Sequence, residues 1–178
     1  MEIALIKFKV SCERRLMNNF KKEIQSLVGE KVIFKRIAGN SIILYFHGNP
    51  GDANVKSIWI DPIWRYERNN KFIISSCEFP WKKEKKQTEV EFTKKYNSIC
   101  NKTNSLIHSR VQQIDFDKAT NDICIKLGNK QLLRSFAAFV KEEIWIYRNM
   151  KEKYSISGYA NVIKKRLSVQ KIRQKNSK

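Results

Sequence analysis

One segment of this sequence is written twice. Residues 40–46 (NSIILYF) are echoed by residues 121–127 (NDICIKL), and residues 64–66 (WRY) are echoed by residues 145–147 (WIY). Three pairs of landmarks have one common separation, which we call the repeat spacing: Asn40 and Asn121, Trp64 and Trp145, and Tyr66 and Tyr147. Equal spacing across three landmarks indicates two similar units that pack together rather than one irregular domain.

A helical pattern precedes each copy of the repeated segment. In the first copy, apolar residues recur at three- and four-residue steps from Leu16 to Leu27. This pattern predicts an amphipathic helix that begins at Ser11 and stops at Gly29, a residue that tolerates positive φ. In the second copy, Thr88-Glu89-Val90-Glu91 has the spacing of a capping box and predicts the start of another helix.

The residues after each helix alternate with the period of a β-strand. Val32 and Phe34 are predicted to share one strand face, and turns are predicted at residues 39–40 and 128–129. The fold class is therefore α+β, with two similar helix-plus-antiparallel-meander units, an internal pseudo-repeat, packed together. A single continuous sheet and two face-packed sheets both fit this pattern.

The predicted domain organisation has four parts. Residues 1–80 form a first α+β unit, residues 81–87 a basic linker, residues 88–158 a second α+β unit, and residues 159–178 a basic C-terminal helix or tail. Residues 161–178 carry seven basic side chains and no acidic one. Tyr159, Val162, Ile163 and Leu167 have the spacing of a short amphipathic helix.

The charge balance narrows the class of partner. Lys and Arg number 36 against 17 Asp and Glu, which gives a formal net charge of +19. Such an excess favours association with a polyanion: nucleic acid, an acidic protein or an anionic membrane surface. A Lys-, Ile- and Asn-rich composition is also typical of AT-rich genomes, so the charge has a compositional explanation as well as a functional one.

Cysteine usage and the N-terminal residues predict a reducing compartment. The four cysteines have neither CxxC pairing nor metal-ligand spacing: Cys12, Cys77, Cys100 and Cys124. The first ten residues mix apolar side chains with Glu2, Lys7 and Lys9, unlike a secretory signal. No segment has the ~18 uninterrupted apolar residues of a membrane span. We therefore expect a cytoplasmic protein that does not bind membranes.

Reaction chemistry has little support in the sequence. His47 and His108 are the two histidines, and neither has a nucleophile or acid at a recognisable spacing. A metal-dependent nuclease would need converging carboxylates, and the candidates are Asp61 and Glu78 with Lys82 downstream. We predict no enzymatic activity, no cofactor and no metal, and a metal-dependent nuclease is the least favoured alternative.

The Trp-Arg-Tyr element and the basic segments are the candidate binding residues. Aromatic side chains beside arginine stack nucleobases or anchor protein partners, whereas one tryptophan per unit at equal spacing is typical of a core position. The candidate partner-binding residues are Arg65, Tyr66, Arg68, Trp81, Lys82, Lys83, Lys85 and Lys86. The candidate polyanion-binding tail comprises Lys164, Lys165, Arg166, Lys171, Arg173 and Lys175.

Several of these segments together resemble a group of known proteins. A helix that ends in Leu27-Val28-Gly29, a hairpin with NSIILYF and the run Trp64-Arg65-Tyr66-Glu67 resemble small bacterial α+β proteins of uncharacterised function, over residues 11–157. Proteins of this kind are grouped with toxin-immunity proteins and their defence relatives. The chain departs from immunity proteins that block basic nucleases, because those are acidic and this chain is basic. A nucleic-acid mimic is therefore not expected.

The resemblance and the charge lead to two hypotheses about function. The first is a non-catalytic bacterial binding protein of the immunity or defence-accessory type, which occludes or scaffolds an acidic protein partner through a basic, aromatic-containing surface. The alternative is sequence-independent nucleic-acid binding through phosphate contacts. The identity of the partner and the oligomeric state do not follow from the sequence.

Overall fold

The computed structural model describes residues 18–52, 54–80, 82–117, 120, 122–136, 143–148, 152–157 and 162–166. The alternation of apolar and basic side chains at residues 6–9 predicts a short strand within residues 2–10. This strand and the predicted start of the first helix lie outside the described ranges. Within them the fold is α+β with two antiparallel sheets and few helices. Of the two arrangements that fit the sequence pattern, the structure therefore has separate sheets.

The helices and strands follow one another in a simple order. Helix α1 comprises residues 18–25, and helix α2 comprises Glu89–Asn101. The strands are β1 (Phe34–Ala38), β2 (Ser41–His47), β3 (Lys56–Ile60), β4 (Trp64–Arg68), β5 (Lys71–Ser75), β6 (Val111–Phe116), β7 (Ile123–Leu127), β8 (Gln131–Ser135), β9 (Glu143–Arg148), β10 (Glu152–Ser157) and β11 (Val162–Arg166). Two short 3₁₀ turns, Ser76–Glu78 and Asn104–Leu106, lie before and after α2.

Each sheet combines strands from both halves of the chain. The six-stranded sheet has the order β1-β2-β3-β9-β10-β11, and the five-stranded sheet has the order β5-β4-β8-β7-β6. Strand β3 pairs with β9, and β4 pairs with β8, in both cases antiparallel. The chain therefore changes sheet between β3 and β4, and changes back between β8 and β9.

Both tryptophans of the repeated segment lie in the core. Trp64 and Trp145 are fully buried, in one cluster of apolar side chains from both sheets and both helices. The Trp64 indole Nε1 donates a hydrogen bond of 2.7 Å to the Asn40 carbonyl. The ring of Phe20 on α1 lies 4.9 Å from that of Trp145, centroid to centroid. The interpretation of these tryptophans as core residues is confirmed.

The segments that enter β1 and β6 pair with each other. Lys31 and Arg110 form an isolated antiparallel bridge. The Gly29 amide donates to the Val111 carbonyl over 2.8 Å. Gly29 has a φ of 91° and His108 a φ of 69°, so the same left-handed backbone occurs in both segments. Glycine takes this conformation without steric cost, but helix α1 ends at residue 25, before the predicted stop at Gly29, and residues 26–29 form turns.

Helix α2 begins as its sequence predicts. The Glu91 amide donates to the Thr88 hydroxyl over 3.2 Å, and the Thr88 amide donates to a Glu91 carboxylate oxygen over 2.8 Å. The hydrogen bonds from Thr88 hold the pKa of the Glu91 carboxyl below its usual value. The capping box therefore fixes the N-terminus of α2, although most of the helix surface is exposed.

The predicted C-terminal helix is wrong over the residues that the structure describes there. Residues Val162–Arg166 form β11, which pairs antiparallel with β10. The helical spacing of apolar residues is outweighed because β10 offers an open edge of backbone donors and acceptors, and Val162 and Ile163 are β-branched residues that favour strands. Residues 167–178 lie outside the described part of the chain.

The prediction that Phe34 shares a face with Val32 is also wrong. Val32 is buried, but Phe34 is 42% exposed and the neighbouring Lys35 is only 9% exposed. The Lys35 ammonium donates to the Cys100 carbonyl at the end of α2 over 2.7 Å, which satisfies its charge while the methylene stem packs inward. Burial lowers the pKa of Lys35, although the nearby Cys100 opposes this shift. Hydrophobicity alone therefore assigns the wrong face to β1.

Candidate functional site

The outer face of the six-stranded sheet gathers aromatic and basic side chains. Phe34, Tyr45, Ser57, Arg148 and Lys153 occupy one row of register partners across β1, β2, β3, β9 and β10. Side chains alternate between the two faces of a strand, and the residues between these positions belong to the core. The row therefore points away from the core.

A second row runs beside the first. Arg36, Ile43, Trp59 and Ile146 are register partners across β1, β2, β3 and β9. From the two rows together we define the basic aromatic face as Phe34, Arg36, Tyr45, Trp59, Arg148 and Lys153. Strand β11 continues the sheet beyond β10, and Lys165 is the register partner of Lys153.

Two rings of this face are accessible to solvent. Phe34 is 42% exposed and Trp59 is 36% exposed. Between them, Ile43 and Tyr45 are buried and form a small apolar cluster with Val55. The rings of Phe34 and Tyr45 lie 5.6 Å apart, centroid to centroid, at an interplanar angle of 46°. The two exposed rings therefore lie on either side of a buried apolar cluster.

Arg36 and Arg148 approach the same phenol. Burial raises the pKa of Tyr45, and the positive charges of Arg36 and Arg148 oppose this shift. Arg36 is exposed, whereas Arg148 is partly buried. The Arg148 Nε is buried and has no hydrogen-bond partner among the described residues. The face thus brings the positive charges of two guanidinium groups close to one aromatic side chain.

The Trp59 ring is held by a carboxylate. Its Nε1 donates to Asp61 Oδ1 over 2.8 Å, and the Ser41 hydroxyl donates to the same oxygen over 2.6 Å. Two donors on one oxygen restrict the rotation of the Asp61 carboxylate and, through it, the indole. The negative charge of Asp61 therefore lies at one end of the face, where it is already used by two hydrogen bonds.

The outer face of the five-stranded sheet has a different charge pattern. The Arg65 Nε lies 2.7 Å from Glu67 Oε1, and the Lys126 Nζ lies 3.5 Å from Asp115 Oδ2. Arg65 also lies over the Phe136 ring, with its Cζ 5.3 Å from the centroid. Arg65 and Lys126 on this face therefore have carboxylate partners, whereas Arg36 and Arg148 have no ion pair among the described residues.

The Trp-Arg-Tyr residues proposed from the sequence are dispersed in the structure. Tyr66 is fully buried, and its hydroxyl donates to Gln131 Oε1 over 2.6 Å. Its ring cannot contact a partner at the surface of the folded protein. Arg65 lies on the outer face of the five-stranded sheet beside Glu67, and Arg68 is exposed at the end of β4.

The basic linker and tail are described only in part. Trp81 and the tail residues Lys171, Arg173 and Lys175 lie outside the described residues. Lys82, Lys83, Lys85 and Lys86 are exposed, and the Lys83 Nζ lies 2.7 Å from Glu89 Oε1 at the start of α2. Lys164, Lys165 and Arg166 belong to β11, so three of the tail cations are part of the six-stranded sheet.

The carboxylates considered for a nuclease have separate structural roles. Asp61 accepts from Trp59 and Ser41, whereas Glu78 accepts from the Ser75 amide over 3.1 Å. The described residues contain no group of three or more His, Cys, Asp or Glu side chains that could hold a metal ion. In the same part of the chain, neither helix has the length and apolar character needed to span a bilayer.

Sequence reasoning missed Phe34, Arg36, Trp59 and Arg148. Strand periodicity places Phe34 on the face of the buried Val32, and Trp59 lies in the continuous apolar run Ile58-Trp59-Ile60, where alternation gives no signal. Arg148 joins Arg36 only because β9 pairs with β3, a contact between segments that are far apart in the chain. No local pattern in the sequence indicated this face, because Lys35, which lies between Phe34 and Arg36, is the residue that points inward.

Comparisons of the chain with protein-family models, with curated proteins and with solved structures found no match.

Proposed function

We propose that this protein is a non-catalytic binding protein that associates with nucleic acid through the basic aromatic face, by phosphate contacts that do not depend on sequence. The observation that carries the proposal is the pair of arginines, Arg36 and Arg148, beside solvent-exposed rings and without carboxylate partners among the described residues. Guanidinium groups bind phosphate oxygens in a forked geometry, and the formal net charge of +19 draws polyanions toward the protein.

We also infer that the two halves of the chain are copies of one unit whose last strands are exchanged. The order β1-β2-β3 followed by β9-β10 matches the order β6-β7-β8 followed by β4-β5. The segments that enter β1 and β6 agree with this inference. Lys31 and Arg110 form a bridge, and Lys31 follows Leu27-Val28 by the same number of residues as Arg110 follows Leu106-Ile107. Pairing of equivalent positions across a bridge is what a two-fold axis produces.

The inferred repeat gives the outer faces of the two sheets equivalent positions with different residues. Arg148 on β9 is the register partner of Ser57 on β3 in the six-stranded sheet. Glu67 precedes Arg148 by the repeat spacing and lies on β4, which pairs with β8 in the five-stranded sheet as β9 pairs with β3. Arg36 on β1 is the register partner of Ile43, and Asp115 on β6 is the register partner of Cys124. Cys124 follows Ile43 by the repeat spacing, so Asp115 takes the position in the five-stranded sheet that Arg36 has in the six-stranded sheet. Acidic residues thus stand on one face where arginines stand on the other. This divergence supports a binding role for the basic aromatic face.

The proposed function is tested by titration of a fluorescently labelled single-stranded oligonucleotide with purified protein at several salt concentrations. Binding that weakens steeply with salt is expected, because each phosphate contact releases condensed counterions. The ultraviolet absorbance ratio of the purified protein should also reveal co-purified nucleic acid. No detectable affinity for single or double strands at low salt would overturn the proposal.

The immunity-type role that the resemblance implies would use the same face differently. An acidic protein would then cover the two arginines, with the exposed rings as hydrophobic anchors. Recovery of one stoichiometric protein partner that stays bound in high salt, with no nucleic acid, would favour this role over nucleic-acid binding.

A further inference from the structure

We propose that the ligand of the basic aromatic face is a single-stranded nucleic acid whose bases stack on Phe34 and Trp59. This inference rests on the proposed function, since it specifies the nucleic acid that the face accepts. It is carried by the exposure of the two rings, by their arrangement relative to the arginines, and by the way in which Trp59 is held.

Solvent-exposed rings are the first step. Phe34 is 42% exposed and Trp59 is 36% exposed, so part of each side chain is open to contact with a ligand. Single-stranded nucleic acids offer unpaired bases, and every base has a π-face that stacks on an aromatic ring. In a duplex the bases already stack on each other, so exposed rings on a sheet would gain no contact with them.

The shape of the surface is the second step. Elements that read a duplex are those narrow enough to enter a groove, such as a helix or a two-stranded ribbon. The rings and arginines of this face lie within four adjacent strands, β1, β2, β3 and β9, which span roughly 14 Å at the usual strand spacing. A surface of this width lies against an open strand with splayed bases, as sheet-based RNA-binding modules do.

The spacing of rings and charges is the third step. Phe34 and Arg148 share one row of the sheet, and Arg36 and Trp59 share the next. Each ring therefore has an arginine in its own row. In the first row the ring lies on β1 and the arginine on β9, whereas in the second row the arginine lies on β1 and the ring on β3. Phe34 and Trp59 are two strands and one row apart, roughly 12 Å between Cα atoms. A chain that crosses the face meets stacking positions and phosphate-binding positions in alternation.

The fixed orientation of Trp59 is the fourth step. Its indole nitrogen donates to Asp61, which also accepts from Ser41. A ring that is already held in place loses less conformational entropy when a base stacks on it.

The outer face of the five-stranded sheet provides a matched comparison. Phe72 on that face is 56% exposed, and its register partner is the acidic residue Glu67.

Three oligonucleotides of equal length test this proposal on the wild-type protein. They are labelled oligothymidylate, the same sugar-phosphate backbone without bases, and a duplex, each titrated by fluorescence anisotropy at one low salt concentration. The oligothymidylate is expected to bind about fivefold or more tightly than the abasic backbone for each stacked base, and more tightly than the duplex. Equal affinity for oligothymidylate and abasic backbone, or tighter binding of the duplex, would overturn the stacking proposal and leave the proposed function standing.

Variants then assign the effect to particular rings. Phe34→Leu and Trp59→Leu should each weaken oligothymidylate binding about fivefold or more and leave abasic binding unchanged, whereas Phe72→Leu should change neither. An equal loss in Phe72→Leu would place the contact elsewhere and overturn the assignment. Absence of binding to all three oligonucleotides would instead refute the proposed function itself. Because the oligonucleotide comparison uses the wild-type chain, it remains decisive if a variant fails to fold.

Discussion

Removal of Arg36 and Arg148 should flatten the salt dependence of nucleic-acid binding. In the double variant Arg36→Gln/Arg148→Gln, two guanidinium groups without ion-pair partners among the described residues are replaced by neutral side chains of similar size. Their loss should leave the fold intact, because Arg36 is exposed and Arg148 is only partly buried. The expected change is therefore in affinity and not in stability.

The magnitude follows from the number of phosphates that the arginines contact. Each contact contributes about 0.7 to the slope of log affinity against log salt for a single strand, so two lost contacts lower the slope by about 1.4. Between about 50 and 200 mM salt, the wild type should therefore lose about sevenfold more affinity than the variant. At fixed low salt, each lost charged hydrogen bond should cost roughly 1.5 kcal/mol, about tenfold in affinity.

The matched control removes the same charge from the other sheet. Arg65→Gln/Arg134→Gln takes two arginines from the outer face of the five-stranded sheet, where Arg65 is paired with Glu67. Affinity should be measured by fluorescence anisotropy at four or more salt concentrations for both double variants. If the control lowers the slope as much as Arg36→Gln/Arg148→Gln does, net charge and not the basic aromatic face determines binding, and the reasoning fails.

Three further changes test the core and the sheet edge. Tyr66→Phe removes the hydroxyl that donates to Gln131, so the free energy of unfolding measured in urea should fall by about 1–3 kcal/mol. Burial raises the pKa of Tyr66 above its usual 10.0. The wild type should therefore lose its stability advantage over Tyr66→Phe as the pH rises above 10. Burial lowers the pKa of Lys35 below 10.5, so the unfolded chain binds more protons. Stability relative to Lys35→Met should therefore rise as the pH is raised toward 10.5, measured in parallel melts. A chain that ends at residue 161 lacks β11 and should melt lower or aggregate through the open edge of β10, whereas a chain that ends at residue 167 keeps β11 and should melt at a higher temperature than the shorter chain.

Local patterns in the sequence predicted the local structure well. The capping box at Thr88 begins α2, and the buried positions of α1 include Phe20 and Ile24, two members of the predicted apolar stripe. The equal spacing of the Trp-x-Tyr elements favoured core positions for Trp64 and Trp145, and both are fully buried. Capping and periodicity depend on neighbours within a few residues, and the sequence displays these directly.

The candidate site could not be predicted because it depends on non-local pairing. Arg148 reaches the same face as Arg36 through the contact of β9 with β3, and nothing in either segment specifies that partner. Lys35 points inward because the end of α2 supplies a carbonyl for its ammonium, a compensation that a hydrophobicity pattern does not register. Likewise, β11 is a strand because β10 has a free edge beside it. In each case tertiary contacts override local preference.

The contact surface itself can be located by ultraviolet crosslinking of oligothymidylate to the wild-type protein, followed by mass spectrometry of the crosslinked peptides. Stacked bases crosslink to the aromatic side chains that they touch, so the modified residues should be Phe34 and Trp59, at low salt and in proportion to the bound fraction. Crosslinks confined to Phe72 and Phe136 on the other sheet, or to residues 82–86, would contradict the claim that the basic aromatic face of the six-stranded sheet binds nucleic acid.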